Sequence, residues 1–260
     1  MIVAFTSACA RPPTAPSDTS RAAIVATISE GPLQVPPRIG ALPPPPALGG
    51  TKFVAFGDSI TSGTLSSFDG AFLYDAPAHS YPTRVQLALR HTFPLQAAAF
   101  TVVNAGAPGE RALEGRQRVA GVLRTYDPDG LLLLEGINDM TFGGSALEAA
   151  AAVVGIIDVA RTHHVTVLVG LMPQTYASVY PNGETRTQAA ERVVPFNNEV
   201  RRLTAGMQNV HIVDLYAQFG NNRSLMGADG LHPTEAGYEL MAATFVEAIE
   251  TIFPVRGSLQ

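Results

Sequence analysis

LLLLEGINDM, from Leu131 to Met140, is the stretch that decides the fold of this chain. Four consecutive leucines leave a strand no polar face, so it must be covered on both sides. Strands of that kind sit inside parallel sheets flanked by helices. Working outward, short apolar runs alternate with helical periods in both directions. Residues 52–56, 100–104, 131–135, 165–171 and 210–215 read as strands. Residues 80–90, about 111–124, 145–161, 187–205 and about 234–253 read as helices. Ser80 is the expected N-cap of the first, with Pro82 in its first turn. Pro195 marks a start or a kink within the fourth. In the last, Tyr238, Met241, Phe245, Ile249 and Ile252 share one face. Five such alternations predict an α/β domain with a parallel sheet and helices on both faces.

The first 50 residues differ from the rest. Ten of the chain's 20 prolines lie there, including the run Pro43 to Pro46. Proline fixes φ and removes a donor, so residues 1–50 read as an extended tether and 51–260 as the folded domain. Ala22 to Ile28 is the one piece of the tether with strand character. Cys9 is the only cysteine, which excludes an intramolecular disulfide and a cysteine-built zinc site. It follows a short apolar run, Met1 to Phe5, and the small residues Ser7 and Ala8. That pattern points to an exported chain, lipid-anchored to a bacterial envelope through Cys9 or secreted. No segment approaches the ~18 apolar residues of a membrane span. The net charge of −5, without a basic cluster, argues against nucleic acid as a partner.

Four blocks carry the chemistry, each just beyond an expected strand: FGDSIT (56–61), NAGAPGE (104–110), EGINDM (135–140) and, past a further loop, DGLHPTEAGY (229–238). Parallel sheets bind ligands beyond the carboxyl ends of their strands, so the blocks can converge there. Gly57 permits a sharp turn that lifts Ser59 above the sheet edge. Asp229 stands three residues before His232, close enough in a turn to accept from the imidazole Nδ1 and leave Nε2 for a serine proton. The Gly106 N–H, the Ser59 N–H and the Asn138 amide are donors suited to a developing oxyanion. Each feature alone has an ordinary explanation: Ser59 as a helix cap, Asp229 and Gly106 in turns, Asn138 in a loop. Asp139 reads as a structural hydrogen-bonding residue. The GxSxG nucleophile elbow is absent. No phosphate-binding or dinucleotide-binding glycine motif is present, and His79, His91 and His211 have no ligand-like spacing to a carboxylate. Two longer loops, 64–79 with Phe68, Phe72 and Tyr74, and 172–185 with Tyr176, Tyr180 and Pro181, either wall a substrate site or pin themselves to the core.

Together the four blocks resemble those of the SGNH hydrolases, also called GDSL esterases and lipases, over about residues 52–252. The resemblance implies a flavodoxin-like three-layer α/β/α sandwich with a five-stranded parallel sheet. It implies hydrolysis of esters through an acyl-enzyme, without metal or cofactor. Ser59 would be the nucleophile, His232 the base and then the acid, and Asp229 its orienting partner. Ser59, Gly106 and Asn138 would form the oxyanion hole. The expected substrate is a short-chain carboxylic ester. An acetylated glycan is the alternative within the same chemistry. A catalytically silent envelope-anchored binding module is the alternative from another class. The blocks do not separate these, because the substrate-binding loops lie outside them.

Overall fold

A computed structural model describes residues 47–177 and 187–254. Most of the tether lies outside the described residues, and with it Cys9 and the strand expected at 22–28. So do Tyr180 and Pro181 of the second long loop.

The chain runs through β1 (Lys52–Gly57), the short helix α1 (Ser59–Ser62), the antiparallel pair β2 (Thr64–Ser66) and β3 (Leu73–Asp75), and α2 (Tyr81–Thr92). It continues through β4 (Thr101–Gly106), α3 (Ala112–Tyr126), β5 (Gly130–Leu134), α4 (Ile137–Thr141) and α5 (Ala146–Thr162). Next come β6 (Thr166–Gly170), α6 (Thr187–Thr204), β7 (Val210–Val213), α7 (Leu215–Phe219) and α8 (Glu235–Ile252). Strands β1, β4, β5, β6 and β7 form one parallel sheet in the order β4-β1-β5-β6-β7. Counted along the chain this is 2-1-3-4-5, the flavodoxin-like order, which reverses direction beside β1. The fold is therefore the expected three-layer one.

The four leucines occupy the middle strand, and every residue of β5 is buried. Phe53 and Phe56, three apart on β1, point to opposite faces of the sheet. Phe53 meets Phe253 edge-on at 5.3 Å, just beyond α8, while Phe56 lies beneath the Arg118 guanidinium of α3. Helices α2 and α8 pack together, with Tyr81 stacked on Phe245 at 5.1 Å. Helices α3, α5 and α6 pack in series. Burying each of these large side chains contributes about 1.5–3 kcal/mol. On α8, Tyr238, Met241, Phe245 and Ile249 are buried as the periodicity requires, and Ile252 is half-buried at the end.

One boundary departs from expectation, and two expected signals take a definite form. β7 stops at Val213 because the Asp214 carboxylate accepts from Ala217 N–H and starts α7. Ser80 holds the N-cap position of α2, but its hydroxyl donates to Pro77 O at 2.7 Å instead of accepting from the helix. Pro195 falls inside α6 and not at its start.

The register sets the site. Gly57 pairs with Gly106 on one side and Leu134 on the other, so β1, β4 and β5 end at one level. The loops after them leave the sheet side by side.

Candidate active site

Gly57 closes β1 where a side chain would collide with the Leu134 carbonyl and with Thr61. Its bare backbone lets the chain fold back at once. Asp58 then caps α1, its Oδ1 accepting from Ile60 N–H at 2.8 Å. Ser59 is the first residue of that short helix and is 8% exposed. Gly63 ends it with φ of 97°.

The second wall comes from residues 226–234. Met226 and Pro233 form an antiparallel bridge, and Gly227 N–H donates to His232 O at 2.7 Å. Arg223 Nη1 donates to the carbonyls of Met226 and Gly227. Gly230 has φ of 73°, and a side chain there would strike the Tyr176 carbonyl. Tyr176 N–H in turn donates to Gly230 O at 2.8 Å. The described part of the second long loop therefore pins this turn.

These two walls place Ser59 Oγ 2.8 Å from His232 Nε2, and His232 Nδ1 2.7 Å from Asp229 Oδ2. Asp229 Oδ1 also accepts from the backbone N–H groups of Leu231 and His232. A carboxylate so placed accepts from Nδ1–H, which leaves Nε2 as the acceptor for the serine hydroxyl. Burial pushes the Asp229 carboxyl up. The His232 hydrogen bond and charge, with the two backbone donors, outweigh it and leave the group below its ordinary value.

Asn138 sits in α4, directly after β5, and is 5% exposed. Its Nδ2 donates to Glu110 O at 2.9 Å. A carbonyl only accepts, so that bond fixes which end of the amide is nitrogen and leaves a second N–H. Asp139 Oδ2 accepts from Ala112 N–H at the start of α3, the structural bond expected of it.

A cavity of about 380 Å³ opens over these groups. Ser59, His232, Asn138, Leu231 and Thr64 line its depth, and Gly109, Leu73, Tyr74 and Phe142 its exposed rim. The β2–β3 hairpin of the first long loop thus walls the cavity, while Phe68 projects fully into solvent. Among the described residues no three metal-ligating side chains converge.

Gly106 needs correction. It is not among the cavity residues, and its N–H donates to Asn104 Oδ1 at 3.0 Å. A side chain at Gly106 would collide with Ser62 backbone and Asp58 O, so its glycine serves the packing of β4 behind the serine turn. Gly109, in the same NAGAPGE block, does line the cavity, with φ of 82° and open space above its Cα. No acceptor among the described residues takes its N–H. The Pro108–Gly109 pair, a turn signal in its own right, was the clue in the sequence.

A sequence model of the GDSL-like Lipase/Acylhydrolase family matches residues 55–240. No curated protein sequence matches. Among solved structures, an aryl esterase of M. smegmatis superposes with a TM-score of 0.66 at 21% identity, over 77% of this chain and 99% of that one. Est24, described as a carbohydrate acetylesterase from Sinorhizobium meliloti, gives 0.67 at 15% identity, over 78% and 100%. A lipase/acylhydrolase from Enterococcus faecalis gives 0.59 at 24% identity, over 81% and 100%. These likenesses establish the shared fold. With the four blocks in order and a family match over most of its length, this chain belongs to the GDSL-like lipase/acylhydrolase family.

Proposed function

We propose that the protein is a serine esterase acting on short-chain carboxylic esters. The observation that carries this reading is the unbroken chain of hydrogen bonds from Ser59 Oγ through His232 to Asp229 at the floor of an open cavity. Ser59 Oγ attacks the ester carbonyl as His232 Nε2 takes its proton. Asp229 holds the imidazole in the required tautomer and stabilises the cation that forms. Positioned proton transfer of this kind contributes about 10² to 10⁴ in rate. The carbonyl oxygen, now negative, faces the N–H groups of Ser59 and Gly109 and the free N–H of Asn138. Each such donor is worth about 10² to 10³. His232 then protonates the leaving alcohol. Water, deprotonated by the same imidazole, attacks the acyl-Ser59 ester and releases the acid.

The cavity is at the small end of the range for ligand sites, which favours short acyl groups over lipid chains. The exposed rings of Tyr74 and Phe142 at its mouth support a second reading, removal of acetyl groups from a glycan, because flat apolar faces suit sugar rings. The acetylesterase neighbour is consistent with it. Export, with a lipid on Cys9, is the location the sequence supports; the mass of the mature protein tests it.

Hydrolysis of p-nitrophenyl esters from acetate to palmitate, alongside Ser59→Ala, tests the main reading. The expected result is activity that falls steeply beyond butyrate and drops by about 10⁴-fold or more in Ser59→Ala, with thermal unfolding unchanged. Wild-type turnover in the variant would overturn the nucleophile assignment. Activity on acetylated xylan far above that on aryl acetate would move the substrate to glycans.

A further inference from the structure

Behind the cavity lies a group of carboxyls that ester hydrolysis does not use. Glu135 follows β5 and is 2% exposed; Asp58 precedes Ser59 and is fully buried; Glu110 leads into α3 and is 9% exposed. One guanidinium serves them: Arg118 of α3 grips Glu110 with Nε at 2.7 Å and with Nη2. Three buried acids and one cation cannot all be ionised at ordinary cost.

The proton has an identifiable place. Glu135 Oε2 accepts from Gly136 N–H at 3.1 Å, while Oε1 meets no donor among the described residues. The Glu110 carboxyl is the side-chain neighbour that raises that of Glu135 both by its charge and by bonding to the protonated form. Two carboxylates cannot make such a bond; an acid and a carboxylate can. Glu110, held by Arg118, is the carboxylate, so Glu135 is the acid that donates.

This pair bears on Asn138 from two directions. Glu110 O is the acceptor that orients the Asn138 amide, and Glu135 Oε2 holds the N–H of Gly136, the residue that starts α4 with φ of 109°. We propose that Glu135 is a positioning residue: by keeping a proton and donating it to Glu110, it fixes both the carbonyl and the helix start that aim Asn138 at the developing oxyanion. The proposal rests on the esterase reading for its effect on rate, though not for the proton itself.

Burial, then the charges of Asp58 and Glu110, push the Glu135 carboxyl well above the usual carboxylate range. The groups facing this pocket are Asp58 from the turn after β1, Glu110 and Arg118 from the segment around α3, and the Tyr81 hydroxyl from α2. Asp139 of α4, beside Arg111, bears on Asp58. Arg118 is the cation in contact, and it is already taken by Glu110.

Two measurements test this. The first is infrared difference spectroscopy of the full chain at pH 7, wild type against Glu135→Gln. A protonated-carboxyl C=O band that disappears in the variant is expected; its absence from the wild type would overturn the proposal whatever the activity. The second is a cycle with Asn138→Ala on a p-nitrophenyl ester. Glu135→Ala should lower kcat about tenfold or more with KM nearly unchanged, a fraction of the loss for a whole donor. Glu135→Gln, which still donates to Glu110, should recover most of it. In an Asn138→Ala background Glu135→Ala should cost almost nothing more. Additive losses, or equal damage from Ala and Gln, would overturn the positioning role. Should Glu135→Ala not fold, the Gln variant and the infrared band decide. If the wild type hydrolyses no ester, the esterase reading fails, and the band still reports on the proton.

Discussion

Asp229 and Asp58 stand on two walls of one site, both nearly closed to solvent at 7% and 0% exposure, and their carboxyls move in opposite directions. Burial pushes each one up. At Asp229 the imidazole of His232 and two backbone N–H groups reverse that push and leave it below its ordinary value. At Asp58 the Ile60 N–H is the main opposing donor, Glu110 and Asp139 add like charge, and the group rises to about 7. Burial alone does not set ionisation; the donors aimed at a carboxyl do. The carboxyl beside His232 therefore favours its charged form, and the one behind the serine turn leans toward its protonated form.

The largest test of that contrast is Asp229→Asn. It should lower kcat by about 10⁴, because the amide favours the wrong imidazole tautomer. Asp229's folded value lies below its unfolded one. Its contribution to stability is thus present above about 3.8 and is lost as pH falls through the folded value. Acid unfolding followed by circular dichroism should show a shallower loss in the variant. A kcat within tenfold of wild type would break the comparison at Asp229.

Asn138→Ala is the next in size. Loss of one oxyanion donor should reduce kcat by about 10² to 10³ while KM changes little. A pure KM effect would mean that the amide binds ground-state substrate. The smallest effect is in stability, at Asp58. Asp58 has a folded value above its unfolded one, so stability is full below about 3.8 and declines as pH rises toward about 7. Asp58→Asn keeps an oxygen for Ile60 N–H and removes the charge. Its melting temperature should exceed wild type by several degrees at pH 8 and match it at pH 3.5. The same difference at both pH values would show that ionisation is not the cause.

How much of this was legible in the chain follows from the range of the interactions. The leucines of β5 have no choice of face, so the parallel sheet could be read from local pattern. Ser59 and Asn138 could be read because their blocks follow strands at a common edge, and Asp229 and His232 because of their spacing in a turn before the last helix. Gly106 and Gly109 could not be told apart by composition. One is glycine because Ser62 and Asp58 crowd it, the other because the chain turns with positive φ at the cavity wall. That distinction needs the neighbours from another strand. The proton proposed on Glu135 was hidden for the same reason: Leu131 to Leu134 mark it as the end of a buried strand, but the approach of Asp58 and Glu110, distant in sequence, adds to burial in raising its carboxyl. Asp214 could have been read as a cap that ends β7 early, since Asp before an apolar helical turn is an ordinary start signal.

The bond between Ser59 and His232 joins residues 173 apart in sequence, one beside the first strand and one just before the last helix. On the proposed mechanism, a chain emerging from synthesis carries its nucleophile long before it owns a base. Turnover begins only when the 226–234 turn has closed against the finished sheet. If the proposed esterase reading holds, hydrolysis is in this sense a stopwatch for folding, because no turnover is possible until that long-range contact has formed.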